Sequence, residues 1–340
     1  MILFVRFAAV YFAVATAWNY FFRDDLLFVG AKVLSVGTRA FGMMWFFGIG
    51  LVFFVAWVWM KSDSHKGFAQ RCARSAVMLV LCCLFLAAFS SVKSSLPYVA
   101  QLLGFKAFFA DPLFAKLDQI LHFGVDPWIL AHGFTEFTGW DNFAVHASLI
   151  YGPMWIIFAF YLPVIMTFVG DDERTIRHYV VLYAFSWVVL GNIFALVGQS
   201  GGPIFYDRIF ETARFADLTA TLDASSSMAN SWFSIVQPGL WESYVSEDQA
   251  IGSGIAAFPS LHVAMIMVAA LYLSEKHMFL HAFGIFMVIA VMFSSVWVGY
   301  HYAIDGYFSI VAVYAAHVWL KRRDAARTKP DVTSNALMNA

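Results

Sequence analysis

The sequence predicts an all-α, polytopic membrane protein with about eight transmembrane helices. Three observations lead there. Hydrophobic residues make up 61% of the 340 positions and charged residues only 13%, where a soluble domain carries about 25% charged residues. Mean hydropathy is +0.72, a value that points to lipid as the solvent. Aromatic residues reach 19%, with 37 Phe and 12 Trp, which suits lipid-facing helices with aromatic belts at the interfaces.

The apolar runs of about 20 residues that a span needs fall at roughly 4–22, 40–60, 75–92, 143–169, 179–198, 259–274, 279–299 and 304–320. The first is read as a retained span and not a signal peptide. Arg6 is its only early positive charge, and no small-residue cleavage site precedes the Trp18, Tyr20, Phe21, Phe22 cluster. Residues 1–74 are expected to hold two N-terminal spans packed outside a catalytic membrane domain at 75–321, with a cytoplasmic polar tail at 322–340. Cys72, Cys82 and Cys83 give no disulfide framework and read as small packing residues. A formal net charge of −1 argues against a nucleic-acid partner, which would demand a concentrated basic surface.

Positive charge sets the expected orientation. Lys61, Lys66, Arg71 and Arg74 lie between the second and third spans, Arg174 and Arg177 between the fourth and fifth, Lys276 between the sixth and seventh, and Lys321, Arg322 and Arg323 after the last. With eight spans all of them share one side, so both termini are cytoplasmic. Two long connections fall on the outward side. Residues 93–142 are amphipathic and aromatic, which fits helices lying on the bilayer. Residues 199–258 form a long polar loop, expected to cover the site as a lid.

Three short segments meet on that outward face. Ser200 to Arg208 leaves the fifth span, Phe258-Pro259-Ser260-Leu261-His262 opens the sixth, and Gly299-Tyr300-His301-Tyr302-Ala303-Ile304-Asp305 turns the seventh into the eighth. Pro259 suits a first helical turn and Ser260 can cap it. The amides and dipole of that helix start form an anion site beside His262. Asp305 follows His301 by four residues and shares its helix face. A carboxylate on one imidazole nitrogen holds the tautomer and leaves the other nitrogen free to attack. Gly201 and Gly202 permit close backbone approach, and Arg208 can pair with phosphate oxygens. Ser260, Tyr206 and Arg208 are the expected phosphate contacts, with Arg214 and Lys93 as further sources of charge. Tyr300, Tyr302, His122, His132, His146, His281 and His317 read as structural. Asp118, Asp126 and Asp141 read as caps or turn residues before acceptor contacts.

The Phe258–His262 and His301–Asp305 elements, in this order and spacing, resemble the type 2 phosphatidic acid phosphatase superfamily over about residues 180–320. The Phe-Pro-Ser-Leu-His form is similar to the branch containing fungal inositol phosphorylceramide synthase. The resemblance implies that His301 is a nucleophile forming a phosphohistidine, that Asp305 orients it, that His262 protonates the leaving oxygen, and that neither metal nor cofactor is needed. The chain departs from the phosphatases at two places. Ser295 stands where they carry an Arg six residues before the nucleophile, and their Lys and Arg-Pro motif is not recognisable. Fewer cations fit a phosphodiester with one negative charge per phosphorus, which tilts the expectation to headgroup transfer.

The expected substrate is therefore a phospholipid or polyprenyl phosphate, with a lipid or glycan hydroxyl as acceptor. Hydrolysis of lipid or polyprenyl phosphates, with water as acceptor, stays open. A proton-relaying transporter would need broken, repeated halves, which are absent from the sequence. A metal site of His262, His301 and Asp305 is the remaining alternative. A bacterial inner membrane, with the site on the periplasmic face, is the expected location; a Golgi-type membrane is possible by the family analogy.

Overall fold

The computed structural model describes residues 2–23, 28–62, 64–245 and 255–328. Part of the polar tail (329–340) and part of the long loop (246–254) lie outside the described residues. All regular elements among the described residues are helices. They begin with α1 (Ile2–Arg23), α2 (Phe28–Phe46), α3 (Gly48–Met60), α4 (His65–Lys93), α5 (Leu96–Leu102), α6 (Asp111–Leu121) and α7 (Pro127–Phe137). Two longer helices follow, α8 (Phe143–Val169) and α9 (Glu173–Val197), each containing a wide π-type stretch, at Ile150–Met154 and Phe185–Phe194. The long loop folds into α10 (Pro203–Phe210), α11 (Ala216–Ala224), α12 (Ser226–Ala229) and α13 (Phe233–Val245). The chain ends with α14 (Leu261–Ser274), α15 (Met278–Trp297) and α16 (Ala303–Thr328).

Among the described residues, six helices are long and apolar enough to cross a membrane, and the two shorter apolar ones are Gly50–Met60 and Leu261–Ser274. The chain is thus an integral, multi-pass membrane protein, with a helix at each of the eight expected spans. The two short ones have distinct causes. The expected 40–60 span joined the end of α2 to α3, but the helix breaks at Phe47. Helix α2 itself was not foreseen as an element, because Lys32, Ser35, Thr38 and Arg39 dilute its hydropathy. It is held by Val29 and Val36, which bury into the core. Helix α14 begins only at Leu261, where the Ser260 hydroxyl accepts the Val263 N–H at 3.4 Å and so caps the first turn. At about 1.5 Å per residue its 14 residues rise only about 21 Å, against about 30 Å of hydrocarbon.

Two apolar cores stack end to end. The first joins α1, α4, α8, α9 and α14 around Phe85, Leu162, Tyr183 and Met265. The second joins α6 to α8 and α10 to α13 to the upper parts of α14 and α15, around Phe108, Phe215 and Trp297. Gly284 makes the α14–α15 hairpin tight, since a Cβ there would lie 2.8 Å from the Ala270 Cα.

The basic segments collect at one end. Lys276 pairs with Asp171, Lys321 with Glu275 at 2.7 Å, and Arg177 with Asp324 at 3.4 Å, while Arg71 donates to the Val169 carbonyl. The starts of α14 and α16 lie at the other end. There α7 exposes Phe134 and Phe137 and the turn from α6 to α7 exposes Phe123, as segments resting on a bilayer surface do.

Candidate active site

Local sequence explains how each segment reaches the site. Helix α15 ends in a left-handed Gly299 (φ 71°), and the Ser295 carbonyl accepts both the Tyr300 and His301 N–H groups. Glycine is the residue that completes such a helix end, and the turn swings His301 back over α14. Ser295, at the family's arginine position, is fully buried and donates its hydroxyl to Met292 O at 2.7 Å. Helix α16 starts under Asp118 of α6, which accepts from the Ala303 and Ile304 amides at 2.7 and 2.9 Å. The capping role expected of Asp118 is therefore filled across the fold, from a distant helix. Ser200 organises the last segment: its carbonyl takes the Ala257 N–H at 2.8 Å and its hydroxyl the Phe258 N–H at 3.0 Å.

That pairing delivers the Ala257 carbonyl to His301 Nδ1 at 2.7 Å. A carbonyl only accepts, so Nδ1 carries the hydrogen and Nε2 keeps its lone pair. Asp305 stands further off, with Oδ2 at 3.4 Å from the same nitrogen, and accepts the Tyr302 N–H at 3.0 Å. The tautomer is thus held first by a backbone carbonyl and second by the expected carboxylate. Burial lowers the His301 pKa to about 3, opposed by the Ala257 bond and aided by the Lys93 charge. The imidazole is neutral at physiological pH.

His262 faces it, with ring centroids 6.1 Å apart. The π-type stretch of α8 supplies its support, as such stretches do at functional sites. Tyr151 stacks on the His262 ring at 3.9 Å and Trp155 at 4.1 Å, and Trp155 Nε1 donates to the His262 carbonyl at 3.1 Å.

The remaining expected contacts lie elsewhere. Ser260 is buried and caps α14. Arg208 is exposed and sits 5.6 Å over the Trp241 ring. Tyr206 packs on Phe210 and Phe215. None of these three lines the cavity that holds the two histidines. Arg214 is engaged by Asp126 through two bonds of 2.8 and 2.7 Å. The Gly201 and Gly202 amides are taken by Asp111, at 2.7 and 3.0 Å, and Tyr302 donates its hydroxyl to the same carboxylate at 2.9 Å. Gly202 is left-handed (φ 86°), and a Cβ there would strike the Tyr300 carbonyl. These glycines therefore bring the loop against the His301 turn. Burial pushes the Asp111 carboxyl up to about 7, opposed by its two amides and Tyr302.

His262 and His301 share a cavity of about 420 Å³ whose described cations are Lys93 and Arg39; no Asp or Glu lines it among the described residues. Phe233, Val236 and Leu240 of α13, in the long loop, wall one side. The Lys93 ammonium, 6.0 Å from the Phe89 ring centroid, has no hydrogen bond or ion pair among the described residues. The three residues of the metal alternative do not converge: no group of three His, Cys, Asp or Glu is placed to hold an ion among the described residues. Sequence reasoning missed Tyr151, Trp155, Asp111 and the Ala257 carbonyl, which reach the site from segments with no motif of their own.

A family model described as the PAP2 superfamily matches residues 113–319, and the chain belongs to that superfamily. No curated protein and no solved structure matches it. Membership makes the chain a phosphatase or phosphotransferase of lipid-like substrates.

Proposed function

We propose that the chain moves a phospho-headgroup from a phosphodiester lipid to a lipid or glycan hydroxyl through a phosphohistidine on His301, in the manner of the inositol phosphorylceramide synthase branch. The observation that carries this is the facing pair of imidazoles, 6.1 Å apart at the end of one cavity, with the His301 Nδ1 hydrogen committed to Ala257. The Nε2 lone pair of His301 attacks phosphorus. The bond from phosphorus to the leaving oxygen breaks, and His262 gives that oxygen its proton. His262 then takes the proton of the acceptor hydroxyl, whose oxygen attacks phosphorus and breaks the P–N bond. Both imidazoles return to their starting states.

The charge inventory supports a diester. Lys93 is the cavity cation whose charge acts on His301, Arg39 lines the same cavity at an exposed position, and Arg208 and Arg214 are turned to other partners. One ammonium balances one phosphodiester charge, whereas a monoester dianion calls for an arginine fork. Asp305 acts as a positioning residue, stabilising the imidazolium-like charge that develops on His301. No step calls for a metal, so chelators should leave turnover intact and orthovanadate should inhibit it.

The test is mass spectrometry of lipid products from protein in nanodiscs given phospholipids, polyprenyl phosphates and hydroxyl lipids. A new phosphodiester lipid, lost by at least about 10³-fold in His301→Ala, is the expected outcome. Free inorganic phosphate with a dephosphorylated lipid would make water the acceptor. Identical lipids from wild type and variant would refute the catalytic assignment.

A further inference from the structure

The cavity that the histidines close continues deep into the membrane part of the fold. On α8 it is lined from Tyr151, beside His262, to Tyr161. Those eleven residues of helix span about 15 Å. On α4 it is lined from Lys93 down to Leu86, about 10 Å of helix. Helix α2 adds a wall through Val36, Arg39 and Ala40. The Tyr161 hydroxyl donates to the Ala40 carbonyl at 2.5 Å and ties α8 to α2.

We propose that this extension is a binding slot for one hydrocarbon chain of the lipid substrate, walled by α2 and α4, and that Ala40 sets how much chain it accepts. The argument is one of continuity. A phosphoryl group held between His262 and His301 belongs to a molecule whose apolar part is covalently attached to it. The side chains leading away from the histidines include Leu86, Val36, Ala40 and Phe160, which offer water few hydrogen-bond partners and hydrocarbon a matched surface, with the exposed Arg39 between Val36 and Ala40 on α2. Both α2 and α4 precede the family-matched residues 113–319. The phosphoryl chemistry thus sits on the matched segment, and chain selection on helices outside it. This inference rests on the phosphoryl site being the histidine pair.

A phosphatidyl lipid carrying a diazirine near its chain end, photolysed in nanodiscs with the wild-type protein, tests the slot without requiring turnover. Label on residues 28–46 and 155–169, displaced by excess unlabelled lipid, is expected. Label confined to lipid-facing positions such as Phe286 and Ile289, undiminished by competitor, would overturn the slot. Kinetics give a second test. Ala40→Phe should lower the ratio of kcat/KM for a long-chain over a short-chain phosphodiester by about tenfold or more. Leu34→Phe, on the exposed side of α2, should not move it. Equal ratios in Ala40→Phe and wild type would also overturn the proposal. A wild-type protein that turns over neither substrate would refute the phosphotransfer assignment, while the photolabel still decides the slot.

Discussion

Asp111 is the residue on which the approach to the site hangs, since its one carboxyl group meets the Gly201 and Gly202 amides and the Tyr302 hydroxyl. The folded protein holds its proton up to about 7, whereas the unfolded chain releases it near 3.8. The folded state therefore binds more protons between those values, and the stability this contributes at low pH is lost as pH rises through about 7. Thermal midpoints in detergent should fall across that window in wild type and flatten in Asp111→Asn. An unchanged pH slope in the variant would refute the assignment. His262, His301 and Asp305 were legible in the sequence because each sits in a short motif whose neighbours shape its own turn. Asp111 was not, because nothing beside Asp111-Pro112 distinguishes a buried brace from an ordinary helix start. The Ala257 carbonyl was invisible for a stronger reason: any residue type supplies one.

At the scale of the element, the start of α16 depends on a carboxylate borrowed from α6. Asp118→Ala would leave the Ala303 and Ile304 amides without their acceptor, at a cost of about 1–2 kcal/mol. A lower thermal midpoint together with reduced turnover is expected, because Asp305 lies in the turn that loosens. Asp141→Ala, at an exposed position, serves as the control, and equal behaviour of the two variants would sink the capping role. Hydropathy made the spans readable, since long apolar runs have few other uses. It failed on α2, where Val29, Lys32, Val36 and Ala40 bury one stripe while Ser35, Thr38 and Arg39 dilute the apolar residues around them. It also failed to separate α2 from α3, because an average over a window cannot register a break at Phe47.

For the whole molecule, the ion pairs that gather the basic segments at one end divide the chain into two faces, and from charge bias we propose that the basic one is cytoplasmic. In a background lacking Cys72, Cys82 and Cys83, Phe123→Cys should react with an impermeant maleimide on intact spheroplasts, and Lys66→Cys only after permeabilisation. The opposite pattern would turn the site to the cytoplasm. The long loop was legible only by its length and polarity; its division into α10 to α13 depends on tertiary contacts with Phe215, Leu218 and Phe233. The brace at the start of α16 also bears on how the protein is made. A ribosome delivers α6 and its Asp118 long before residues 303 and 304 exist, so the acceptor waits, already placed, for the last helix. His301 gains its Asp305 neighbour only when that helix arrives. On the proposed mechanism, a nascent chain still missing α16 holds His301 without its positioning carboxylate, and the membrane that receives it is not exposed to an enzyme acting before it is complete.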